Sequence, residues 1–241
     1  MSTPPAGAEP RKSPWRTATV VQIRPETPTA KTFRLRLPHP SPHVPGQHYV
    51  LRLTAPDGYT ASRSFSAASA PDGSAEIELT VERLDDGEVS AFLHDVVEVG
   101  DDLEIRGPIG GWFVWDGEMP AVLVGGGSGV VPLMSMLRAA RRAGTSDRLR
   151  LLVSVRSPDD LYYAEELPGP ETTVVYTRRT PPDQARPAAR LHLDDVAPLV
   201  RPGVTGFVCG GPAFADAAAG LLVAAGLSPR EVRIERFGET G

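Results

Sequence analysis

Val122-Leu123-Val124-Gly125-Gly126-Gly127-Ser128-Gly129-Val130-Val131-Pro132 reads as an apolar strand that runs into four glycines and then a proline opening a helix. Such a turn presents backbone N–H groups and a helix N-terminus to a pyrophosphate. A side chain at any of the glycines would stand between backbone and ligand or force an unfavourable φ, so the run implies that an anion comes close. Gly126, Gly127, Ser128, Gly129 and Pro132 are the first candidate ligands for a nucleotide.

Around this stretch, near-continuous apolar strands alternate with helices. Strands are expected at 121–124, 149–155, 172–176, 206–209 and 233–237, with helices at 132–143 and 213–225. That alternation predicts a doubly wound parallel sheet. Pro132 is expected at the first helical position, with Gly144 and Gly226 just past helix ends. Upstream, from Trp15 to about Arg106, apolar runs are short and alternate with period two, as in Thr32-Phe33-Arg34-Leu35-Arg36-Leu37 and Glu76-Ile77-Glu78-Leu79-Thr80-Val81. These predict a barrel-like domain of antiparallel strands. One short helix is expected from Ser90 to Val97, capped by Ser90, with Phe92, Leu93 and Val96 on one face. Gly107-Pro108-Ile109-Gly110-Gly111 is too rich in breakers to continue a strand ladder and marks the boundary. The expected fold class is a two-domain α+β arrangement: a disordered arm over 1–13, an antiparallel β-barrel over 14–110 and a doubly wound parallel α/β domain over 111–241.

A hydrophobic fraction of 41% and a charged fraction of 23% are those of a soluble globular protein. The N-terminus carries no apolar core of a secretory signal, so a cytoplasmic location is expected. A net charge of -5 argues against a nucleic-acid binder that works by displacing counterions. With Cys209 as the one cysteine, these residues hold no internal disulfide, thiolate zinc site or four-cysteine cluster, so any redox cofactor here is organic. The five histidines are scattered, read as solvated loop or turn residues, and suggest no metal site. Arg138, Arg141 and Arg142 read as a solvated helix face.

Three more elements complete the pattern: Arg63-Ser64-Phe65-Ser66 upstream, Cys209-Gly210-Gly211-Pro212 downstream, and Glu235-Arg236-Phe237 near the end. In this order they resemble the ferredoxin–NADP reductase family, of the type without an iron–sulfur module of its own. The resemblance covers nearly everything from Trp15 to Phe237. It implies FAD on the barrel and a nicotinamide nucleotide on the α/β domain.

Arg63-Ser64-Phe65-Ser66 matches the family's Arg-x-Tyr-Ser, with Phe in place of Tyr. The match implies that Arg63 forks onto the flavin diphosphate, Phe65 lies against the isoalloxazine, and Ser66 hydrogen-bonds the flavin near N5. Gly87, Val89 and Ser90 resemble a second FAD phosphate element, although a plain turn and cap would explain them without a ligand. His48, Tyr49 and Val50 match a strand that flanks the flavin. Ser154, Arg156, Arg178 and Arg190 stand where NADP-preferring relatives carry hydroxyl or basic groups, which favours NADP with NAD as the alternative. Cys209 is implied to lie beside nicotinamide C4 with Gly210 adjoining, Glu235 to be the family carboxylate, and Phe237 to cover the flavin face, four residues from the end rather than at it. Ser66, Cys209 and Glu235 are thus the candidate catalytic set.

The function implied is hydride transfer from NADPH to FAD, with electrons passed to a separate partner: a ferredoxin, a flavodoxin, or an oxygenase or oxidase component. Reduction of a diffusible acceptor such as free flavin or a quinone, or a redox-inactive nucleotide-binding subunit, are the alternatives.

Overall fold

A computed structural model of the chain describes residues 13–238. Residues 1–12 of the predicted arm over 1–13, and the residues after Gly238, lie outside the described residues.

Six strands make the first sheet: β1 (Arg16–Thr27), β2 (Ala30–Arg36), β3 (His48–Thr54), β4 (Thr60–Ser66), β5 (Glu76–Glu82) and, after helix α1 (Glu88–Asp95), β6 (Asp102–Ile109). Their order is β4-β3-β6-β1-β2-β5, with every pair antiparallel. The sheet curls until its two edges meet: Ala67 bridges Leu79, and the Ala68 N–H donates to the Glu78 carbonyl at 2.8 Å. Period-two alternation sends Phe33, Leu35, Tyr49, Leu51, Ile77, Leu79 and Ile105 into one core inside the curl.

Val89, Leu93 and Val97 close that core from α1 and the residue run behind it. The buried face is therefore this i, i+4, i+8 set; of the predicted face Leu93 belongs to it, whereas Phe92 and Val96 are exposed. Ser90 is not the cap either. Gly87 holds that place, while Ser90 lies one turn in, its hydroxyl donating to the Gly87 carbonyl at 3.0 Å and accepting from the Leu84 N–H at 3.2 Å. Gly107 and Pro108 do not interrupt the ladder: β6 runs through both to Ile109, with a shift in register against β3 absorbing the irregularity.

The second sheet has the order β11-β10-β7-β8-β9 and is parallel throughout. Its elements in chain order are β7 (Ala121–Gly126), α2 (Val130–Ala143), β8 (Leu149–Val155), β9 (Thr172–Tyr176), the single turn α3 (Leu193–Val196), β10 (Thr205–Gly210), α4 (Pro212–Ala224) and β11 (Val232–Arg236). Burial on both faces explains the unbroken apolar runs. Leu123, Leu151 and Phe207 pack toward α2, whereas Val122, Leu152 and Val208 pack toward α4. Pro132 stands third in α2 rather than first, because Gly127–Gly129 form a 3₁₀ turn that leads into the helix, the Val130 N–H bonding back to Gly127 and Ser128.

The predicted arginine face of α2 divides in the structure. Arg142 is exposed, but Arg138 is only 15% exposed and reaches across to the curled sheet, donating to the Ala68 carbonyl at 3.0 Å and to Glu78 at 2.8 Å. Its other edge holds Glu166, and Arg141 pairs with Glu171 at 2.6 Å. Nearby, Tyr163 adopts φ 54°, donates its hydroxyl to Thr80, and gives its N–H to Glu26 at 3.1 Å. The segment behind β8 is thus latched to the first sheet at several points. Arg138→Met is expected to lower unfolding free energy by about 2 kcal/mol, because Glu78 keeps Arg34 nearby and Glu166 is partly solvated. Urea unfolding reads this directly, and Arg138→Lys should recover part of the loss.

Candidate active site at the junction of the two sheets

The end of β4 and the carboxyl ends of β10 and β11 meet where the two sheets face one another. Parallel register sets Cys209 beside Glu235 on one side and Gly125 on the other. Glu235 is the outer member, and the buried hydroxyl of Ser66, from the other sheet, faces it. The three predicted catalytic residues are therefore brought together by two domains.

Burial pushes the Glu235 carboxyl up to about 7, with the Ser66 hydroxyl pulling the other way. The Cys209 thiol is raised by burial first and by Glu235 second, so it stays protonated near neutrality. Cys209 is fully buried among apolar neighbours. His48 lies opposite Ser66 in the β3–β4 register, and burial lowers its imidazole, favouring the neutral ring. His48 and Val50 share the face that carries Ser64 and Ser66, whereas Tyr49 does not: its ring is in the barrel core and its hydroxyl donates to the Ser41 hydroxyl at 3.2 Å. His43 and His94 are not solvated either, each ring contacting a backbone carbonyl, of Ser69 and Val81 respectively, at 2.9 Å.

The glycine run divides into two uses. A Cβ on Gly129 would lie 2.2 Å from the Cys209 carbonyl oxygen, and one on Gly126 would lie 2.6 Å from the Phe214 ring. At these two the protein itself leaves no room for a side chain. Gly127 differs: it has φ +55° and open space beyond it, at the mouth of the turn that starts α2. Gly210 packs against the same Phe214 ring, so this aromatic of α4, not singled out in the sequence, lies against the ends of β7 and β10.

Arg63 is exposed on β4 and has no carboxylate partner among the described residues, giving one bond to the Ser62 carbonyl at 3.1 Å. Across from it, the first turn of α1 leaves the N–H groups of Glu88, Val89 and Ser90 without intrahelical acceptors, although the Ser90 hydroxyl is already used. An unpaired guanidinium on an edge strand beside free N–H donors suits the diphosphate of FAD. On the second sheet, the Arg178 N–H donates to the Arg156 carbonyl at 2.9 Å, and the Ala189 N–H to the Tyr176 carbonyl at 3.1 Å. Arg156, Arg178 and Arg190 are thereby gathered beyond β8 and β9, exposed and without carboxylate partners among the described residues, while Asp159 is taken by Arg179. Ser154 is buried opposite Gly126. Phe237 follows β11, gives its N–H to the Gly210 carbonyl at 2.9 Å, and rests half-buried against the α2-side core.

Residues 17–114 match an oxidoreductase FAD-binding domain and residues 123–220 an oxidoreductase NAD-binding domain. The chain is 30% identical to the ferredoxin–NAD(P)+ reductase component of the naphthalene 1,2-dioxygenase/salicylate 5-hydroxylase systems of a Ralstonia species, over 92% of this chain and 69% of that one. It belongs to the ferredoxin–NAD(P)+ reductase family. The family's fold also appears in the FAD/NAD-binding domain of a Vibrio cholerae nitric oxide dioxygenase, at TM-score 0.82 and 24% identity over 95% of this chain and 100% of that one. An Amycolatopsis cytochrome P450 reductase superposes at TM-score 0.77 and 28% identity, over 97% of this chain and 73% of that one. The chain spans 62% of a phenol 2-monooxygenase reductase component from Pseudomonas and 42% of a propane 2-monooxygenase reductase component from Mycolicibacterium goodii. FAD and a pyridine nucleotide are the cofactors of this oxidoreductase family. Among the described residues no helix is long and apolar enough to cross a membrane.

Proposed function

We propose that this chain takes hydride from NADPH onto FAD and delivers electrons to a separate redox partner in the cytoplasm, an oxygenase component or a small carrier such as a ferredoxin. Residues 14–110 hold the flavin and 111–241 the nucleotide. The observation that carries the reading is the meeting of Ser66 with Glu235 and Cys209, since a nucleotide-binding subunit without redox work would have no use for a desolvated carboxyl and a buried hydroxyl placed across two sheets. The relatives support the kind of partner, being named as reductase components of dioxygenase and monooxygenase systems.

When bound, the flavin supplies the conversion from two-electron to one-electron transfer. The chain's own residues do the rest. Arg63 and the α1 N–H groups bind the diphosphate, Ser66 hydrogen-bonds the reactive edge of the ring system, and Phe65, which shares Tyr49's face and packs partly on the core, offers its exposed part to that ring. Gly127 and the start of α2 take the nucleotide pyrophosphate. Cys209 and Glu235 line the place where hydride passes, and Phe237 shields it from water until nucleotide enters.

The arginines beyond β8 and β9 support NADPH over NADH, because a ribose phosphate needs cations that carboxylates have not already claimed. Arg156→Ala is expected to raise KM for NADPH about tenfold and leave KM for NADH within a factor of two. Steady-state reduction of ferricyanide with each nucleotide tests this; equal change in both would remove Arg156 from the site. Delivery to a partner is tested by adding a purified oxygenase component, whose reduction should require both this chain and nucleotide.

A further inference from the structure

Side chains on β4 alternate, and those that share a face with Phe65 are Arg63, Ala61 and, one residue before the strand, Tyr59. The alternation carries on through Tyr59 because its carbonyl still accepts from the Ala55 N–H at 2.8 Å. Ala61 and Phe65 both pack against the barrel core, which fixes the face. At Tyr59 and Arg63 that face is exposed, so it is open there to a ligand while Ala61 and Phe65 touch the core.

Tyr59 has no packing reason to be there. Its ring is 56% exposed, yet it is held in place: the hydroxyl donates to the Glu88 carboxylate at 3.0 Å, and Glu88 is the first residue of α1. Tyr59 therefore stands over the helix start whose first N–H groups lack intrahelical acceptors, and α1 packs beside β4, the strand that carries Arg63. The face reads aromatic, small, cation, aromatic. Strand rise puts Arg63 roughly 7 Å from Phe65 and Tyr59 roughly 13 Å beyond Arg63. A flavin dinucleotide has the same linear order, ring then phosphates then ring, whereas a flavin mononucleotide ends at its phosphate.

We propose that Tyr59 is the stacking platform for the adenine ring of FAD and is what makes this chain prefer FAD to FMN. The inference rests on the reading of Arg63 as the diphosphate ligand. A tyrosine tethered at its hydroxyl offers a flat face at little further cost in side-chain entropy, and loss of one base–aromatic stack is worth about tenfold in affinity.

The test is equilibrium dialysis of the full chain against equal FAD and FMN, reading the ratio of the two flavins bound. A ratio is insensitive to any fraction of misfolded protein. Tyr59→Ala is expected to lower the FAD to FMN ratio about tenfold, and Tyr59→Phe, which keeps the ring, to leave it within a factor of two of wild type. An unchanged ratio in Tyr59→Ala overturns the proposal. Arg63→Ala separates it from the reading beneath: total flavin of both kinds should fall, and if total flavin holds while Tyr59→Ala changes nothing, both assignments fail together. Wild type that binds neither flavin would overturn the flavin site itself and the adenine seat with it.

Discussion

Glu235→Gln is expected to make the protein more stable at pH 8 and slower at its reaction. The folded chain holds the Glu235 proton up to about 7, whereas the unfolded chain releases it near the ordinary value of 4.5. The folded state therefore binds more protons between these values, and stability is lost as pH rises from about 4.5 through about 7. The loss reaches about 3 kcal/mol above that window. Gln removes the charge and with it the loss, so the variant should match wild type near pH 4.5 and exceed it by about 3 kcal/mol at pH 8. Urea unfolding at the two pH values checks this.

The cost appears in the rate. Ionised Glu235 would stabilise the positive charge that develops as hydride leaves the nucleotide, in a buried site where such an interaction is strong. Flavin reduction by NADPH should then rise with pH through about 7 in wild type. In Glu235→Gln it should be flat and about 100-fold lower at pH 8. A pH-independent wild-type rate equal to that of the variant would remove Glu235 from the chemistry while leaving its effect on stability intact.

Gly129→Ala should be among the most damaging single changes to the fold. The new methyl would meet the backbone of Cys209 and Gly210, whose carbonyl oxygen and amide nitrogen lie 2.2 and 2.6 Å from its position, and no side chain can swing aside to admit it. β10 or the turn must move, at about 4 kcal/mol or more. Gly127→Ala is the contrasting case. Nothing lies within 4 Å of its new methyl, so the stability cost is the left-handed backbone alone, about 1 kcal/mol. Since that methyl points into the mouth of the turn, nucleotide affinity should fall by at least tenfold. Thermal unfolding with nucleotide titration separates the two glycines, and equal stability losses would contradict this division.

Much of the α/β half is legible in the sequence because strands buried on both faces need unbroken apolar runs, as in Val122-Leu123-Val124, and helices between them need turns rich in glycine and proline. The curled sheet is nearly as legible, with two exceptions. β4 escapes because Thr60-Ala61-Ser62-Arg63-Ser64 has no alternating apolar pattern; of this stretch and Phe65 only Ala61 and Phe65 reach the core, and the residues between are exposed. β6 carries a proline that local rules exclude, and its register shift depends on β3, far off in sequence. The start of α2 is misjudged at Pro132 because a 3₁₀ turn of small residues leaves no periodic signal.

At the site, Ser66, Cys209 and Glu235 are legible only through ordered motifs; nothing in their spacing reveals that two strands and a third from the other sheet meet there. Tyr49 shows the reverse error, since a motif strand contributes alternate residues to the core. Arg138 is illegible for a physical reason: a helix arginine flanked by Arg141 and Arg142 looks solvated until Glu78 and Ala68 arrive from the other sheet. The roles of Gly126 and Gly129 likewise depend on Phe214 and Cys209, which only the fold brings near.

The most direct test of hydride transfer within this chain is anaerobic stopped-flow absorbance of the flavin-loaded protein mixed separately with NADPH and NADH. The flavin band is expected to bleach rapidly with NADPH and more slowly with NADH; a bound flavin that neither nucleotide reduces would contradict the account.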